Sequence, residues 1–186
     1  MTILIFEEAN TTLEEIYELK GLFELLRSTT KWEQRVINFM GRRMKEPRLT
    51  AWYGTGLYQY SGIKHQPQPM TPLLSKLQKI AEEKAGVSFN SVLLNLYRNG
   101  QDSVGWHADN EKELGADPII ASMSFGGTRK FKMKHNRNKE DKLDLFLRDG
   151  SLLIMGSGSQ LHYRHTVPKS KTYTQPRINI TFRKVV

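Results

Sequence analysis

The feature of the sequence that most constrains its fold is a long series of short apolar or alternating runs. Each run has the length of a strand, and turn signals such as Asn99-Gly100 and Asp149-Gly150 separate them. The pattern predicts strands near residues 32–40, 49–60, 88–98, 118–126, 128–135, 142–148, 151–156, 161–167 and 177–185. So many short strands favour a β-sandwich or a jelly roll.

Two early segments have helical periodicity instead. Residues 12–27 begin with the Thr and Glu spacing of a capping box, and their apolar residues then recur at helical intervals. The second segment has Thr71 as a candidate N-cap, Pro72 at the first helical position and Gly86 placed to end the helix. The sequence therefore predicts helices that pack against a β core.

Composition narrows the chemistry. The chain contains no cysteine, so disulfides and thiolate metal sites are excluded and any metal must be held by His, Asp or Glu. The formal net charge of +9 favours a polyanionic partner such as nucleic acid, although a basic surface that only aids solubility is the alternative. We expect no secretory signal and no membrane span, which makes the cytoplasm, or the nucleus of a eukaryote, the expected location.

One tripeptide, His107-Ala108-Asp109, has the spacing of a metal site. On a strand, side chains two residues apart project from the same face. With one distant histidine they would complete a 2-His-1-carboxylate set, which is typical of non-haem Fe(II) oxygenases. His162 and His165 are the candidates, and only one can join because three residues along a strand reverse the face. The alternative is a surface histidine beside a solvated aspartate.

The last predicted strand alternates between apolar and polar residues. Its polar face consists of Arg177, Asn179, Thr181 and Arg183. Asn95 and Tyr97 form a similar polar face on an earlier strand. If both faces line the interior, they offer guanidinium, amide and phenol groups to a small dianion such as a dicarboxylate. The alternative is a half-buried strand with a solvated outer face.

Several segments together form a recognisable pattern. They are Asn95-Leu-Tyr97, His107-Ala-Asp109-Asn110-Glu111, Ser122-Met-Ser-Phe125-Gly126, His165-Thr-Val-Pro168 and Pro176-Arg177-Ile-Asn179-Ile-Thr181-Phe-Arg183. In order and spacing, over roughly residues 47–186, they resemble the AlkB family of Fe(II)- and 2-oxoglutarate-dependent dioxygenases. Within the family, the sequence is most similar to the animal homologues that repair alkylated double-stranded DNA.

The resemblance implies a fold and a division of the chain. The fold would be α+β, with a double-stranded β-helix (jelly-roll) core, flanking N-terminal helices and a nucleotide-recognition lid. Residues 1–186 would form a single dioxygenase domain. Within it, approximately residues 1–65 would supply the N-terminal helix and the lid, and residues 66–186 a helix and the catalytic core.

The resemblance also assigns roles to the polar residues. The implied iron ligands are His107, Asp109 and His165. The residues implied for 2-oxoglutarate are Arg183 and Asn95 at the carboxylate beside the iron, Arg177, Tyr97 and Asn179 at the distal carboxylate, and Thr181 in the same lining. The two arginines could exchange carboxylates without altering the chemistry. Fe(II) would be the metal, and 2-oxoglutarate and O2 the co-substrates.

The implied reaction is oxidative demethylation of N1-methyladenine and N3-methylcytosine in DNA, which releases formaldehyde, succinate and CO2. The damaged base would have to leave the duplex stack to reach the iron. The alternatives are an oxygenase that acts on RNA or protein, and a non-catalytic nucleic-acid-binding module. We expect a monomer with no obligate protein partner.

Residues for the substrate follow from the same resemblance. Tyr60 and Ser61 lie in the segment that would stack on the flipped base, Tyr58 lies beside them, and Glu111 would contact the edge of the base. Phe39 and Met40 would form the apolar finger that fills the stack, with buried strand residues as the alternative. The predicted phosphate contacts are Arg42, Arg43, Arg48, Lys169 and Lys171, joined by Lys130, Lys132 and Lys134 on one strand face.

Overall fold

The computed structural model describes residues 3–6, 21–39, 41–55, 58–60, 63–65 and 67–186. Most strands belong to two antiparallel sheets. In spatial order, the six-stranded sheet contains β1 (Ile3–Phe6), β12 (Leu152–Met155), β9 (Ile120–Gly126), β14 (Arg177–Arg183), β7 (Ser91–Tyr97) and β4 (Leu49–Gly54). The four-stranded sheet contains β11 (Lys142–Leu147), β10 (Arg129–His135), β13 (Tyr163–Val167) and β8 (Val104–His107).

The two sheets pack face to face around a shared apolar core. Phe131 and Met133 of β10 and Val167 of β13 belong to one buried cluster with Ile120 and Leu153 of the larger sheet. This is the arrangement expected of a jelly roll, in which inward-facing side chains alternate with outward-facing ones along each strand. Part of the space between the sheets is lined by polar side chains instead, and that part holds the candidate site.

Helices cover the other face of the six-stranded sheet. α1 (Leu22–Thr29) and α2 (Pro72–Ala85) bury Leu26 and Leu77 against the apolar face of β14, which presents Ile178, Ile180 and Phe182. This alternation leaves the remaining face of β14 directed between the sheets. A short helix, α3 (Ser159–His162), and a 3-10 turn at Lys112–Leu114 complete the described helices, and none of these is long and apolar enough to cross a membrane.

The second predicted helix is confirmed at both ends. Thr71 caps α2, since its hydroxyl accepts a hydrogen bond from the Leu74 amide at 3.2 Å. Pro72 occupies the first helical position, where its missing N–H leaves no acceptor unsatisfied. Gly86 ends the helix in the left-handed conformation with φ of 69°, which only glycine adopts at little cost.

The predicted helix over residues 12–27 is wrong as one continuous element. α1 begins only at Leu22, because Gly21 has φ of 84°, outside the helical region. The apolar periodicity runs across Gly21, so the pattern did not reveal the interruption. Residues 12–20 lie outside the described part of the chain.

Two hairpins stand apart from the main sheets. The first pairs β2 (Val36–Phe39) with β3 (Arg42–Lys45), and the second pairs β5 (Tyr58–Tyr60) with β6 (Ile63–His65). The single strand predicted over residues 49–60 is therefore wrong, because β4 ends at Gly54 and the chain enters a separate hairpin. Phe39 pairs with Arg42 at the end of the first hairpin.

Candidate active site

The three residues that were expected to bind a metal lie together between the sheets. His107 ends β8 and pairs directly with His165 of β13, and Asp109 follows two residues after His107. One potential ligand atom from each residue lies within 4.8 Å of the others. Two imidazoles and one carboxylate are the donor set of non-haem Fe(II) sites, which keep further coordination positions open for other ligands. The donor set and its spacing therefore fit Fe(II).

Neighbouring groups orient the two imidazoles. His107 Nδ1 lies 2.8 Å from the Gly105 carbonyl oxygen, which can only accept, so Nδ1 carries the proton and Nε2 keeps its lone pair for a metal. The His165 ring stacks on Phe131 with 5.3 Å between centroids. Burial, with a further contribution from His107, lowers the pKa of His165 to about 3. The ring is therefore neutral at physiological pH, the form that binds metals.

Two hydrogen bonds hold Asp109 in place, one at its carboxylate and one at its backbone amide. Asp109 is buried, its Oδ2 accepts a hydrogen bond from Arg183 Nη2 at 3.0 Å, and its backbone amide donates to Gln160 Oε1 at 2.9 Å. Burial acts to raise the pKa of Asp109, but Arg183 and the two histidines outweigh it and the pKa lies below its ordinary value. The carboxylate is therefore ionised, with Oδ1 3.8 Å from His107 Nε2.

A polar cavity adjoins the three candidate ligands. Its walls include the residues expected to bind a dicarboxylate: Asn95, Tyr97, Arg177, Asn179, Thr181 and Arg183. β14 and β7 are hydrogen-bonded neighbours, and their register places Arg177 opposite Tyr97 and Asn179 opposite Asn95. The two polar faces that the sequence predicted therefore meet in one cavity.

Arg177 is a buried cation on the cavity wall. Its side chain is only 1% exposed, and Nη2 donates to Ser124 Oγ at 2.9 Å. Its Nε and Nη1 atoms make no well-aligned hydrogen bond within the described residues, and the neighbouring polar group is the phenol of Tyr97, whose ring centroid lies 5.4 Å from the guanidinium carbon. Burial lowers the pKa of Arg177 to about 10, which still leaves the guanidinium charged at neutral pH. A buried cation in a cavity fits a carboxylate of a bound ligand.

Comparison with known proteins agrees with this geometry. Residues 11–183 match the 2OG-Fe(II) oxygenase superfamily. The chain belongs to this superfamily. It is 44% identical over 180 residues to alpha-ketoglutarate-dependent dioxygenase alkB homolog 3 of Bos taurus, covering 92% of this chain and 63% of the relative. The human protein of the same name is 42% identical, with the same coverage.

A second group of relatives carries the name DNA oxidative demethylase ALKBH2. The Bos taurus protein is 38% identical over 159 residues, covering 81% of this chain and 57% of its own length. The resemblance to the AlkB family is therefore confirmed, and the chain spans less than two thirds of these relatives. Neither name states a strand preference, so the similarity to duplex-repairing members stays a prediction.

A solved structure shows the same fold. The structure of OsALKBH1 aligns with a TM-score of 0.65 over 98% of this chain and 97% of that chain. The sequences are 15% identical, so this likeness concerns the fold alone. The jelly-roll core expected for this AlkB-family chain is thereby confirmed, and the open choice between sandwich and jelly roll is decided.

The second candidate histidine, His162, lies elsewhere. The strand predicted over residues 161–167 begins only at Tyr163, and His162 ends the short helix α3. Its exposed ring stacks on His135 with 6.1 Å between centroids, away from the candidate ligands. The argument from strand alternation therefore used the wrong element, although its outcome of one ligand from this pair holds.

Arg48 is not an exposed phosphate contact, and this expectation is corrected. Its side chain is only 7% exposed and lines the cavity. Nη2 pairs with Glu46 Oε1 at 3.1 Å, and Nε donates to Asn95 Oδ1 at 2.9 Å. Arg48 therefore turns the Asn95 amide so that its oxygen is occupied and its NH2 group remains available. The adjacent basic residues concealed this role, because Arg43 and Lys45 are exposed.

The buried ion pair of Glu46 and Arg48 is expected to contribute to the stability of the fold. Replacing Arg48 with Met leaves the Glu46 carboxylate buried without its counter-charge, so we expect the free energy of unfolding to fall by about 3–5 kcal/mol. Urea denaturation measures it. The double variant Glu46→Gln with Arg48→Met removes both charges and is expected to recover most of the loss. An unchanged urea midpoint in the single variant would contradict the importance of the pair.

The other substrate residues are placed only in part. Arg43, Lys169 and Lys171 are exposed, as phosphate contacts require. Glu111 is half-buried at the start of the 3-10 turn, and its Oε2 has no hydrogen-bond partner within the described residues. The backbones of Phe39, Arg42, Tyr58 and Tyr60 lie in the two hairpins, but their side chains are outside the description, as are residues Met40 and Ser61 entirely.

Lys130, Lys132 and Lys134 require a further correction. They alternate with Phe131 and Met133, which face the core, so the lysines project from the opposite, outer face of the four-stranded sheet. They do not line the cavity that holds the candidate ligands. The shared face that the sequence predicted is therefore confirmed, and it is the outer face of the sheet rather than a wall of the cavity.

Sequence reasoning also missed two supporting residues. Gln160 accepts from the Asp109 amide, and Ser124 accepts from Arg177. Gln160 lies in the short helix α3, between two predicted strands, and nothing local marks it as part of the site. Ser124 lies in the segment Ser122-Met-Ser-Phe125-Gly126 that resembles the AlkB family, and this resemblance is the sequence signal that could have identified it.

Proposed function

We propose that the chain is an Fe(II)- and 2-oxoglutarate-dependent dioxygenase that oxidatively demethylates N1-methyladenine and N3-methylcytosine in DNA. One observation carries the proposal: the candidate iron ligands and the buried guanidinium of Arg177 open onto the same cavity. A metal site and a dianion site in one cavity suit a keto acid that chelates iron at one end. The names of the relatives, a dioxygenase and a DNA demethylase, support this reaction class.

The residues have separable roles in holding the cofactors. His107, Asp109 and His165 would hold Fe(II). Arg183 would serve the keto-acid carboxylate nearest the iron, because it already touches Asp109 at 3.0 Å. Arg177 would hold the distal carboxylate, because it bonds to Ser124 rather than to a candidate iron ligand, and in this the two arginines differ. Bound iron, 2-oxoglutarate and O2 supply the chemistry that oxidises the N-methyl group, which leaves as formaldehyde beside succinate and CO2.

Supporting residues keep these groups in place. Arg48 holds the Asn95 amide with its NH2 group available to a carboxylate oxygen. Asn179 Nδ2 donates to Ser122 Oγ at 2.7 Å, and its Oδ1 accepts from the Thr181 hydroxyl at 3.0 Å. These hydrogen bonds restrict the rotamers of the cavity wall before any ligand enters. Such preorganisation lowers the cost of binding a small dianion.

The nucleic-acid end of the site would come from the two hairpins. Tyr60 and Ser61, with Tyr58 beside them, would receive the flipped base, and the β2–β3 hairpin would carry Phe39 and Met40 into the stack. The position of both hairpins outside the two main sheets supports their assignment as the lid. Glu111 would contact the base edge, and Arg42, Arg43, Lys169 and Lys171 the phosphates.

The test is a mass-spectrometric assay on an oligonucleotide with one N1-methyladenine, single- or double-stranded, incubated with Fe(II) and ascorbate. We expect loss of the methyl group only when 2-oxoglutarate is added. The variant His165→Ala should be inactive, whereas His162→Ala, which removes an exposed histidine three residues away, should retain activity. If the methyl group is lost from an RNA oligonucleotide but not from DNA, RNA and not DNA is the substrate. If folded, iron-loaded protein neither removes the methyl group nor converts 2-oxoglutarate to succinate, the proposal that the chain is an enzyme is refuted.

A further inference from the structure

The outer face of the four-stranded sheet combines cations with exposed aromatic rings. Its cations are Lys130, Lys132, Lys134, Lys142 and Arg164. Its aromatic rings are Trp106 and Phe146, each 42% exposed. Trp106 lies on β8 and Phe146 on β11, the two outermost strands of the sheet, which ordinary strand spacing puts about 14 Å apart. None of these residues takes part in the site between the sheets.

The rings and the cations are interleaved rather than separate. Lys134 Nζ lies 4.1 Å from the centroid of the Trp106 ring, and Lys130 Nζ lies 5.6 Å from that of Phe146. Trp52, in contrast, is only 4% exposed and packs in the core with Leu93. Lys134 lies over the Trp106 ring, and the part of the ring that remains exposed offers a surface on which a base can stack.

The charge of this face is positive after internal pairing. Asp144 is the acidic side chain that these four strands direct outward, and it pairs with Lys130 at 2.7 Å and with Lys132 at 3.7 Å. Lys134 lies beside Arg164 on one side and Lys142 on the other in the strand register. Three cations side by side repel one another, and a polyanion would relieve this repulsion.

This face begins at the edge of the proposed active site. Trp106 and His107 are neighbours on β8, and consecutive residues of a strand point to opposite faces. His107 therefore faces the candidate metal site, and Trp106 faces outward on the same edge strand. A nucleotide chain that leaves the pocket over this edge reaches Trp106 first and then the cations of β13 and β10.

We propose that the outer face of the four-stranded sheet binds the single-stranded DNA that flanks the target base. A flanking base would stack on Trp106, and the adjoining phosphates would contact Lys134 and Arg164. Paired bases hide their faces in the duplex stack, so the exposed ring selects single strands. An acidic protein could use the cations but would leave Trp106 without a function. The inference rests on the proposed function, because it needs a nucleic acid held in the pocket.

The experiment compares binding of two oligonucleotides that contain one N1-methyladenine, about four and about sixteen nucleotides long. The wild-type protein should bind the longer one more tightly, with quenching of tryptophan fluorescence. Trp106→Ala should weaken binding of the longer oligonucleotide by about 5- to 150-fold, the range for loss of one stacked base, and remove most of the quenching. Binding and demethylation of the shorter one should not change.

Two controls separate stacking from charge and from misfolding. A longer oligonucleotide with abasic flanks keeps the phosphates, so it should bind wild type and Trp106→Ala equally. Because Trp106 adjoins His107, a second variant, Lys134→Ala with Arg164→Ala, leaves β8 intact and should also weaken binding of the longer oligonucleotide. Lys79→Ala, an exposed lysine of α2 behind the other sheet, is the matched control and should have no effect.

The outcomes distinguish this inference from the proposed function. Equal affinity of wild type and both outer-face variants for the longer oligonucleotide, with demethylation intact, would overturn the binding face alone. Tighter binding of a duplex than of the single strand, with the same Trp106 dependence, would also overturn it. Length-dependent quenching without methyl loss from any oligonucleotide would support the face and refute the proposed reaction.

Discussion

Replacing Arg177 with Met is expected to weaken 2-oxoglutarate binding at least about 100-fold. The reason is the loss of two charge-assisted hydrogen bonds to the ligand, each worth about 1.5–3 kcal/mol, from the buried Nε and Nη1 atoms, which make no well-aligned hydrogen bond within the described residues. Anaerobic calorimetric titration of the Fe(II)-loaded protein with 2-oxoglutarate measures the affinity directly. The assay requires no turnover, so it reports on the cavity rather than on the substrate.

The same substitution should not destabilise the fold. A buried charge without a counter-ion costs free energy, and a methionine of similar length removes that cost, so the melting temperature should stay the same or rise. Ser124→Ala is the matched control, because it removes only one neutral partner of Arg177 and should weaken binding far less. Unchanged 2-oxoglutarate affinity in Arg177→Met would refute the assignment of the distal carboxylate.

Replacing His107 with Ala should abolish demethylation and leave DNA binding largely intact. The candidate ligand set would lose one of its three donors, the Nε2 atom of His107. Iron affinity should therefore fall by more than the 10- to 100-fold that is typical when a residue that only supports a metal ligand is replaced. Under the proposed function, DNA affinity would depend mainly on phosphate contacts, which this change does not touch. Elemental analysis of bound iron and fluorescence anisotropy with labelled DNA measure the two properties separately.

Asp109→Ala is a second test of whether iron binding and DNA binding depend on different residues. It removes a ligand and also the hydrogen-bond acceptor of Arg183, so we expect loss of iron together with weaker 2-oxoglutarate binding. His135→Ala replaces a histidine outside the candidate ligand set, so it should change neither iron binding nor 2-oxoglutarate binding. If His107→Ala lost DNA binding while its fold was preserved, iron and phosphate contacts could not be independent.

Local patterns predicted much of the core and the ligand set. The two-residue period of β14 placed Arg177 and Arg183 on one face and Ile178 on the other, and the structure has this arrangement. The spacing of His107 and Asp109 similarly needed only a strand and its immediate continuation. Such features follow from the backbone geometry of a few consecutive residues, so a sequence contains enough information for them.

Element boundaries were less predictable where glycine overrides periodicity. Gly21 interrupts the first predicted helix, and the predicted strand over residues 49–60 stops at Gly54. At Gly54, φ is 128°, and a side chain would overlap the Asn90 carbonyl oxygen. That close approach joins residues far apart in the sequence. Apolar spacing reports which face a residue occupies, but it does not report such contacts.

By itself, the sequence determined the alternation of its strands, the helix after Thr71 and the donor set of His107, Asp109 and His165 that the family resemblance completed. Only the tertiary structure decided which alternating face is enclosed. Arg48 proved to be buried beside Asn95, whereas Lys134 faces outward over Trp106. The reason is physical: a strand defines two faces locally, but the packing of the opposite sheet makes one of them an interior.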